Sequence, residues 1–331
     1  MQRILVVYNP NSSQYIHVKS EFLTRLKGLK SVIIGKFAVK KAPLEENVAN
    51  LKKLLRPGDL VIAAGGDATA AIAVNAMMEK GVDATLSVLP FGNFNDLART
   101  LGTMKVDDVL DLLSGAAPIQ PGSRKIPATL AERRAAAIAS HTAELYPLEI
   151  IINKKHWRFA SGYVTMGMTA ESVEIFDDPK IRKRLQQGHK SSWRSYVELA
   201  LWYFKNRHSK IFIPDFTING IPAPEKCSDY CALSGRSMCR VMKGGDDFLR
   251  PRVFRSAAYR LTSFPSLFVL MAQSILRRTP GTETSGDHLE FKKPATVELQ
   301  AEGEYRTFER VREIDIYKAP RPLRVIMKGK K

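Results

Sequence analysis

Short runs of branched apolar residues alternate with amphipathic stretches through the first hundred positions. Arg3-Ile4-Leu5-Val6-Val7-Tyr8 reads as a strand, the turn formers Asn9-Pro10-Asn11-Ser12-Ser13 end it, and a helical period covers residues 16–29. The same order recurs. Residues 31–39 read as a strand and 45–55 as a helix, and Pro57-Gly58-Asp59 turns the chain into the apolar run Leu60-Val61-Ile62-Ala63-Ala64. Helical spacing over 70–80, a strand at 86–89 and a helix over 95–101 complete the series. This alternation predicts a parallel sheet with helices on its faces, so the loops after strands at Asn9, Gly65 and Gly92 gather on one edge, where such sheets bind ligands.

The pattern then changes. From residue 120 to 146 Pro, Gly, Ala and Arg dominate, with a short exposed helix expected over 130–139. Beyond it, residues 148–153, 157–165, 210–219 and 296–300 read as strands, interrupted by helical spacing at 195–205 and 266–278, and 323–327 closes the chain as a strand. The expected division is an α/β unit at 1–120, a linker at 121–146, a mostly antiparallel β unit at 147–317, and a closing strand within 318–331 returning toward the first unit. The longest apolar stretch, 264–276, is broken by Pro265, Ser266, Gln273 and Ser274 and is too short to cross a bilayer.

Charge sharpens this division. The chain of 331 residues has a formal net charge of +18; residues 1–120 carry 14 Lys/Arg against 11 Asp/Glu, residues 121–331 carry 37 against 22. An acidic partner follows, whether nucleic acid, anionic membrane or phosphorylated small molecule. Arg250, Arg252, Arg255 and Arg260 before the apolar stretch and Arg277 and Arg278 after it suit an anionic bilayer or a buried helix with basic ends reaching water. Trp193, Tyr196, Trp202, Tyr203 and Phe204 carry the same two readings, membrane contact or core. No nucleic-acid-binding motif accompanies the charge, so no nucleic-acid partner is expected. Three cysteines, Cys227, Cys231 and Cys239, support neither a disulfide framework nor a recognised zinc spacing, and no secretory leader opens the sequence; a cytoplasmic setting is expected.

Three loops carry candidate chemistry. Gly65-Gly66-Asp67-Ala68-Thr69 sits between a buried strand and a helix, where glycines admit backbone amides to a phosphate and the helix N-terminus favours negative charge. Asp67 is suited to orient a metal or a water, and Thr69 to donate to a phosphate or cap the helix. Leu89-Pro90-Phe91-Gly92-Asn93-Phe94-Asn95-Asp96-Leu97-Ala98-Arg99 gathers polar side chains at the next handover, with plain capping by Asn95 or Asp96 as the alternative. The loop at Asn9 also fits a cap. Neither a P-loop nor a dinucleotide Gly-x-Gly-x-x-Gly is present. Far downstream, Glu302-Gly303-Glu304 has the form of an exposed hairpin turn.

These elements, in this order, resemble the diacylglycerol kinase catalytic-domain family of bacterial lipid kinases and sphingosine and ceramide kinases. The family's Asn-Pro-x-Ser-Gly corresponds to residues 9–13, its Gly-Gly-Asp-Gly-Thr to 65–69, its Pro-Leu-Gly-Thr-x-Asn-Asp-Phe-Ala-Arg to 90–99, and its Asp-Gly-Glu to 302–304. The resemblance implies a Rossmann-type α/β domain like that of NAD kinases, followed by a mostly antiparallel β domain. It also implies ATP with magnesium, and a lipid hydroxyl as acceptor at an anionic membrane surface to which the protein attaches peripherally. It assigns Asn9, Asn11, Ser12, Gly65, Gly66, Asp67, Thr69, Asn93, Asn95 and Asp96 to the nucleotide, and Glu304 to proton acceptance with Glu302 and Asp67 beside it. The chain departs from the motifs at Ser13, Ala68, Ile72, Asn93 and Glu302. The family's acidic magnesium-associated stretch has no clear counterpart, although Asp246 and Asp247 fall near its place, so the metal ligands stay unassigned. A dinucleotide kinase, a non-catalytic lipid- or nucleotide-binding regulator and a homodimeric assembly remain open alternatives.

Overall fold

The computed structural model describes residues 2–12, 14–29, 32–92, 94–116, 129–171, 212–238, 242–260 and 281–328. The chain begins as β1 (Gln2–Tyr8), α1 (Tyr15–His17), a π-helical stretch (Val18–Leu23), α2 (Thr24–Leu26), β2 (Val32–Ala38), α3 (Leu44–Leu54), β3 (Leu60–Gly65), α4 (Asp67–Lys80) and β4 (Thr85–Pro90). Then come α5 (Asp96–Thr100), α6 (Val106–Ser114), α7 (Leu130–Ser140) and β5 (Thr142–Leu145). β6 (Leu148–Ile152), β7 (Lys155–Ala160), β8 (Tyr163–Gly167), β9 (Phe216–Ile218), β10 (Ile221–Pro222), β11 (Asp229–Leu233), β12 (Ser237–Met238) and β13 (Met242–Lys243) follow. Last are β14 (Phe254–Tyr259), β15 (Thr282–Thr284), β16 (Gly286–Ala301), β17 (Glu304–Lys318) and β18 (Leu323–Ile326).

The first sheet has the order β2-β1-β3-β4-β18-β5. β1 to β4 run parallel and β18 joins parallel to β4, while β5 lies antiparallel at the edge. Every residue of β3 is buried, as a strand covered by helices on both faces requires. Tyr8 stands level with Ala64, and Gly65 with Pro90, so the loops that follow β1, β3 and β4 leave one edge together.

Two parts of the first sheet differ from expectation. Residues 121–146 were expected to link the domains, yet their described part holds α7 and β5, which pairs with β18. Nor is α7 a wholly exposed helix: Arg134 and Ala137 are buried, and Arg134 Nε donates to the carbonyl of Leu113 on α6. α6 itself was passed over, although Asp108 in its first turn accepts from the Lys105 amide (2.7 Å) and Gly115, at φ 71°, ends it.

The second sheet runs β15-β14-β11-β8-β16-β17-β6-β7 and is antiparallel throughout this path. The single strand expected over 157–165 is broken at Ser161 and Gly162 into β7 and β8, and within the described residues of 210–219 the strand is β9. The helical readings at 195–205 and 266–278, with their aromatic and basic residues, and Cys239 lie outside the described residues. Cys227 and Cys231 are buried thiols, and burial pushes Cys227 up to about 11. Among the described residues no helix is long and apolar enough to cross a membrane.

The chain passes between the sheets twice, at Tyr146-Pro147 and after Lys318, and the crossings are joined by the Ala319 amide donating to the Pro147 carbonyl (2.8 Å). The buried Lys318 ammonium donates to the carbonyls of Tyr146 and Asp247, each at 2.9 Å, and to the Ser234 hydroxyl. Burial pulls its pKa down to about 7. α4 supplies a third fixing point. Asn75, fully buried in its middle, donates to the Phe159 carbonyl (2.9 Å) and accepts from the Phe159 amide (2.8 Å), so β7 is held against the helix that begins at Asp67.

Candidate active site

Backbone close approach, before any side chain, shapes the phosphate-type loops. A Cβ at Gly92 would stand 2.3 Å from the Gly66 Cα, and one at Gly65 would stand 2.4 Å from Thr69 Oγ1. Glycine is therefore required at 92 for the loop after β4 to touch the loop after β3, and at 65 for the Thr69 side chain to lie against its own loop. Ala68 keeps negative φ inside α4, so the missing third glycine costs no strain here. Ile72 is buried in the apolar cluster between sheet and helices.

Asp67 locks the two loops together. Its carboxylate accepts from the amides of Asn95 (2.9 Å), Asp96 (2.7 Å) and, more weakly, Leu97 (3.4 Å). Asn95 sits at φ 56°, and its side chain accepts from the Gly92 amide (2.8 Å) and donates to the Gly92 carbonyl (2.6 Å). Asn95 stands at the N-cap position of α5 but makes no side-chain capping bond there, and Thr69 lies inside α4, whose N-cap is Gly66. Burial, reinforced by the charge of Asp96, raises Asp67 to about 6, while the amides pull the other way. A carboxylate held by amides at a helix N-terminus, beside two glycines, is a group of fixed position rather than a solvated one.

The second sheet supplies the opposite wall. Glu302 and Gly303, at φ 52° and 86°, make the two-residue turn between β16 and β17. The turn was expected to be exposed, yet Glu302 is only 6% exposed. Its Oε1 accepts from the Ser161 hydroxyl and from the Gly162 amide (2.6 Å), at the break between β7 and β8. Burial raises Glu302 to about 7 against the pull of these donors, and the charge of Asp67 adds to the rise. Glu304, two residues on, has a different partner: Arg158 Nη1 donates to its Oε2 at 2.8 Å, and its side chain is 30% exposed.

Asp96 extends the seam between the sheets. It accepts from Ser237 Oγ at 2.7 Å and from Tyr163 Oη at 3.4 Å; Gln300 reaches the same tyrosine oxygen, and Thr165 donates to Gln300 at 2.6 Å. The Arg236 amide donates to Thr100 Oγ1 (3.1 Å), closing the seam further along α5.

Gly65, Gly66, Asp67, Thr69, Asn95, Asp96 and Glu302 thus share one junction. Asn9, Asn11 and Ser12 follow β1 on the same sheet edge, where Asn9 Oδ1 accepts the Asn11 amide (2.9 Å). Asn93 lies outside the described residues. Asp246 and Asp247 are spent on protein cations, the first on Arg236 and the second on Arg250 and Arg255. Among the described residues no group of three or more His, Cys, Asp or Glu could hold a metal ion. Asp67 and Asp96 are the junction's neighbouring carboxylates, and each accepts hydrogen bonds on both of its oxygens.

Sequence reading missed Asn75, Arg158, Ser161, Tyr163 and Ser237. Two of them carried a signal: Asn75 interrupts the apolar run Ala73-Val74-Asn75-Ala76-Met77, and Arg158 alternates in step with the buried Ala160 on β7. The others partner residues 67 or more positions away, with nothing local to mark them.

Residues 3–121 match the family model described as Diacylglycerol kinase catalytic domain. A diacylglycerol kinase of Bacillus subtilis (strain 168) is 33% identical over 107 residues, 32% of this chain and 35% of that protein, so the alignment spans about a third of the curated relative. A solved structure of a diacylglycerol kinase from Bacillus anthracis str. Sterne superposes with a TM-score of 0.65 at 13% identity, covering 99% of this chain and 97% of that one. A second from that organism gives 0.63 at the same identity and coverage. The two-layer fold is therefore shared along the whole chain, and the sequence likeness concentrates in the first sheet.

Proposed function

Since residues 3–121 belong to the diacylglycerol kinase catalytic-domain family, we propose that the chain is an ATP-dependent lipid kinase transferring the γ-phosphoryl group to a lipid hydroxyl. The observation that carries this reading is the grip of Asp67 on the 92–97 loop with Glu302, from the other sheet, entering its field. Phosphoryl transfer asks mainly for positioning and for charge stabilisation, and a loop pair welded by three amide bonds at a helix N-terminus offers both. Magnesium bound to the triphosphate would neutralise charge, with Asp67 and Asp96 the carboxylates suited to face it.

In this account the lipid hydroxyl oxygen attacks the γ-phosphorus in line and the bond to the β-phosphate oxygen breaks. ADP leaves, and the hydroxyl proton passes to a carboxylate of the 302–304 turn. Glu302 is the acceptor this account favours: the charge of Asp67 reaches it, and a carboxyl raised to about 7 suits a general base at neutral pH. Glu304, assigned that role by resemblance, is bound through one oxygen to Arg158, as Glu302 is to Ser161 and Gly162, and stands as the second candidate.

The acceptor reaches the site from an anionic membrane surface, a reading supported by the basic second part of the chain. Part of that charge is already answered within the protein, because Arg250 and Arg255 both pair with Glu283 and Asp247. Arg252 and Arg260 are exposed.

The test incubates wild-type and Asp67→Asn protein with labelled ATP, magnesium and micelles of diacylglycerol, sphingoid, ceramide or glycerophospholipid, with a soluble dinucleotide as control. Label in one lipid, with wild type alone, is the expected result. Label in the dinucleotide, or ATP binding without transfer, contradicts it.

A further inference from the structure

We propose, resting on the reading above, that Arg158 is a positioning residue: a buried guanidinium that clasps the acidic turn to the first sheet and so fixes where Glu302 stands. It lies on β7, 3% exposed, with its guanidinium carbon 4.2 Å from the centre of the Trp157 ring. Nη1 holds Glu304 at 2.8 Å, and Nη2 reaches Glu45 Oε1 at 3.4 Å, in the first turn of α3. Arg306, two residues beyond Glu304, donates to the same Glu45 oxygen at 2.9 Å. One carboxylate of the first layer is therefore bound by two arginines of the second, and one of these also holds the turn.

The arrangement is a poor device for stability alone. Burying a guanidinium is costly, a well-packed apolar residue is often as stable, and here Nε is buried with no hydrogen-bond partner. What the fork does offer is two directed bonds to two different carboxylates, which an ammonium or an apolar group cannot supply in fixed geometry. The turn it holds needs holding, because Glu302 stands at positive φ without being glycine. The root of Arg158 is itself fixed: Phe159, next in sequence, carries the Asn75 pair that docks β7 on α4. Thus α4 places Asp67 at its start and, through β7, the clasp that places Glu302.

The experiment compares Arg158→Met, Arg158→Lys and Glu45→Gln in the full chain. Single-turnover transfer from ATP to the lipid is read beside equilibrium ATP affinity. The expected result for Arg158→Met is transfer lowered by about 100-fold, the scale of a small misplacement of a reacting group, with ATP affinity unchanged. Arg158→Lys recovers part of the loss, and Glu45→Gln shows a smaller loss of the same kind. A second readout needs no catalysis: spin labels at Ala49→Cys on α3 and Glu309→Cys on β17, with Cys239 replaced by Ser, give one narrow distance that Arg158→Met broadens. Broadening in a protein whose wild type labels no lipid upholds the clasp and removes the kinase. Wild-type transfer rate with an unchanged distance in Arg158→Met overturns the clasp, and so does an equal loss of ATP affinity and rate in Arg158→Lys.

Discussion

The two walls of the site are built by different means. The first-sheet wall is local: Asp67 takes its amides from residues 28 to 30 positions ahead, and Asn95 closes on Gly92 three residues back. The wall from the second sheet is made at long range, Glu302 against Ser161 and Gly162 and Glu304 against Arg158, at separations of 140 to 146 residues. The first wall can keep its shape as long as two loops stay in contact. The second exists only while two hairpins and a helix are docked together. Damage to the first should therefore abolish nucleotide handling, and damage to the second should spare it.

Asp67→Asn gives the largest expected effect. It replaces a charged acceptor of three amides with a group whose amide half repels them, at a cost of about 1.5–3 kcal/mol in stability, and lipid phosphorylation should fall below detection along with ATP binding measured by calorimetry. Next comes Gly92→Ala, where a Cβ 2.3 Å from the Gly66 Cα must force the loops apart; ATP affinity should drop about tenfold or more, as overpacking of about 1–3 kcal/mol implies. Glu302→Gln should leave ATP affinity as it is and lower transfer by about 100-fold to 10,000-fold, the span of a lost general base. If ATP affinity falls in step with transfer, the contrast between the walls is lost.

The smallest effect is on stability against pH. Burial raises Glu302 from 4.5 to about 7, so between those values the folded state keeps a proton that the unfolded chain has released. Stability contributed at this group therefore declines as pH rises from about 4.5 to about 7 and is flat above. Asp67, raised from 3.8 to about 6, acts in the same sense over a lower window. Chemical denaturation across pH 4 to 8 should show a shallower decline for Glu302→Gln than for wild type; identical slopes would mean that Glu302 is not held in a buried state.

What could be read from the chain follows the same contrast. β1, β3, β4 and the loops after them were legible because each strand runs through a short turn of Asn, Pro or Gly straight into a helix, and the motif strings carry their own chemistry. Capping, the alternative reading, covers only the position of Asn95 at the start of α5: its side chain closes on Gly92 and Thr69 packs against Gly65, contacts that a one-dimensional reading does not place. The turn at 302–304 was seen as a hairpin, but its burial depends on the break at Ser161-Gly162, and no local pattern pairs those positions. β5 was hidden by composition, since Thr142-Ala143-Glu144-Leu145 is too short and too polar to stand out until β18 arrives beside it from 180 residues later. Arg158 and Asn75 left the one usable trace, a polar residue at a position whose neighbours in phase are buried.

The central claim is that the turn from the second sheet delivers its proton acceptor to the nucleotide loops of the first. Single-turnover phosphoryl transfer by Glu302→Gln and Glu304→Gln, each with ATP affinity measured on the same sample, tests it most directly. The account predicts unchanged affinity in both and a much larger loss of transfer in Glu302→Gln than in Glu304→Gln; a wild-type rate in Glu302→Gln would contradict it.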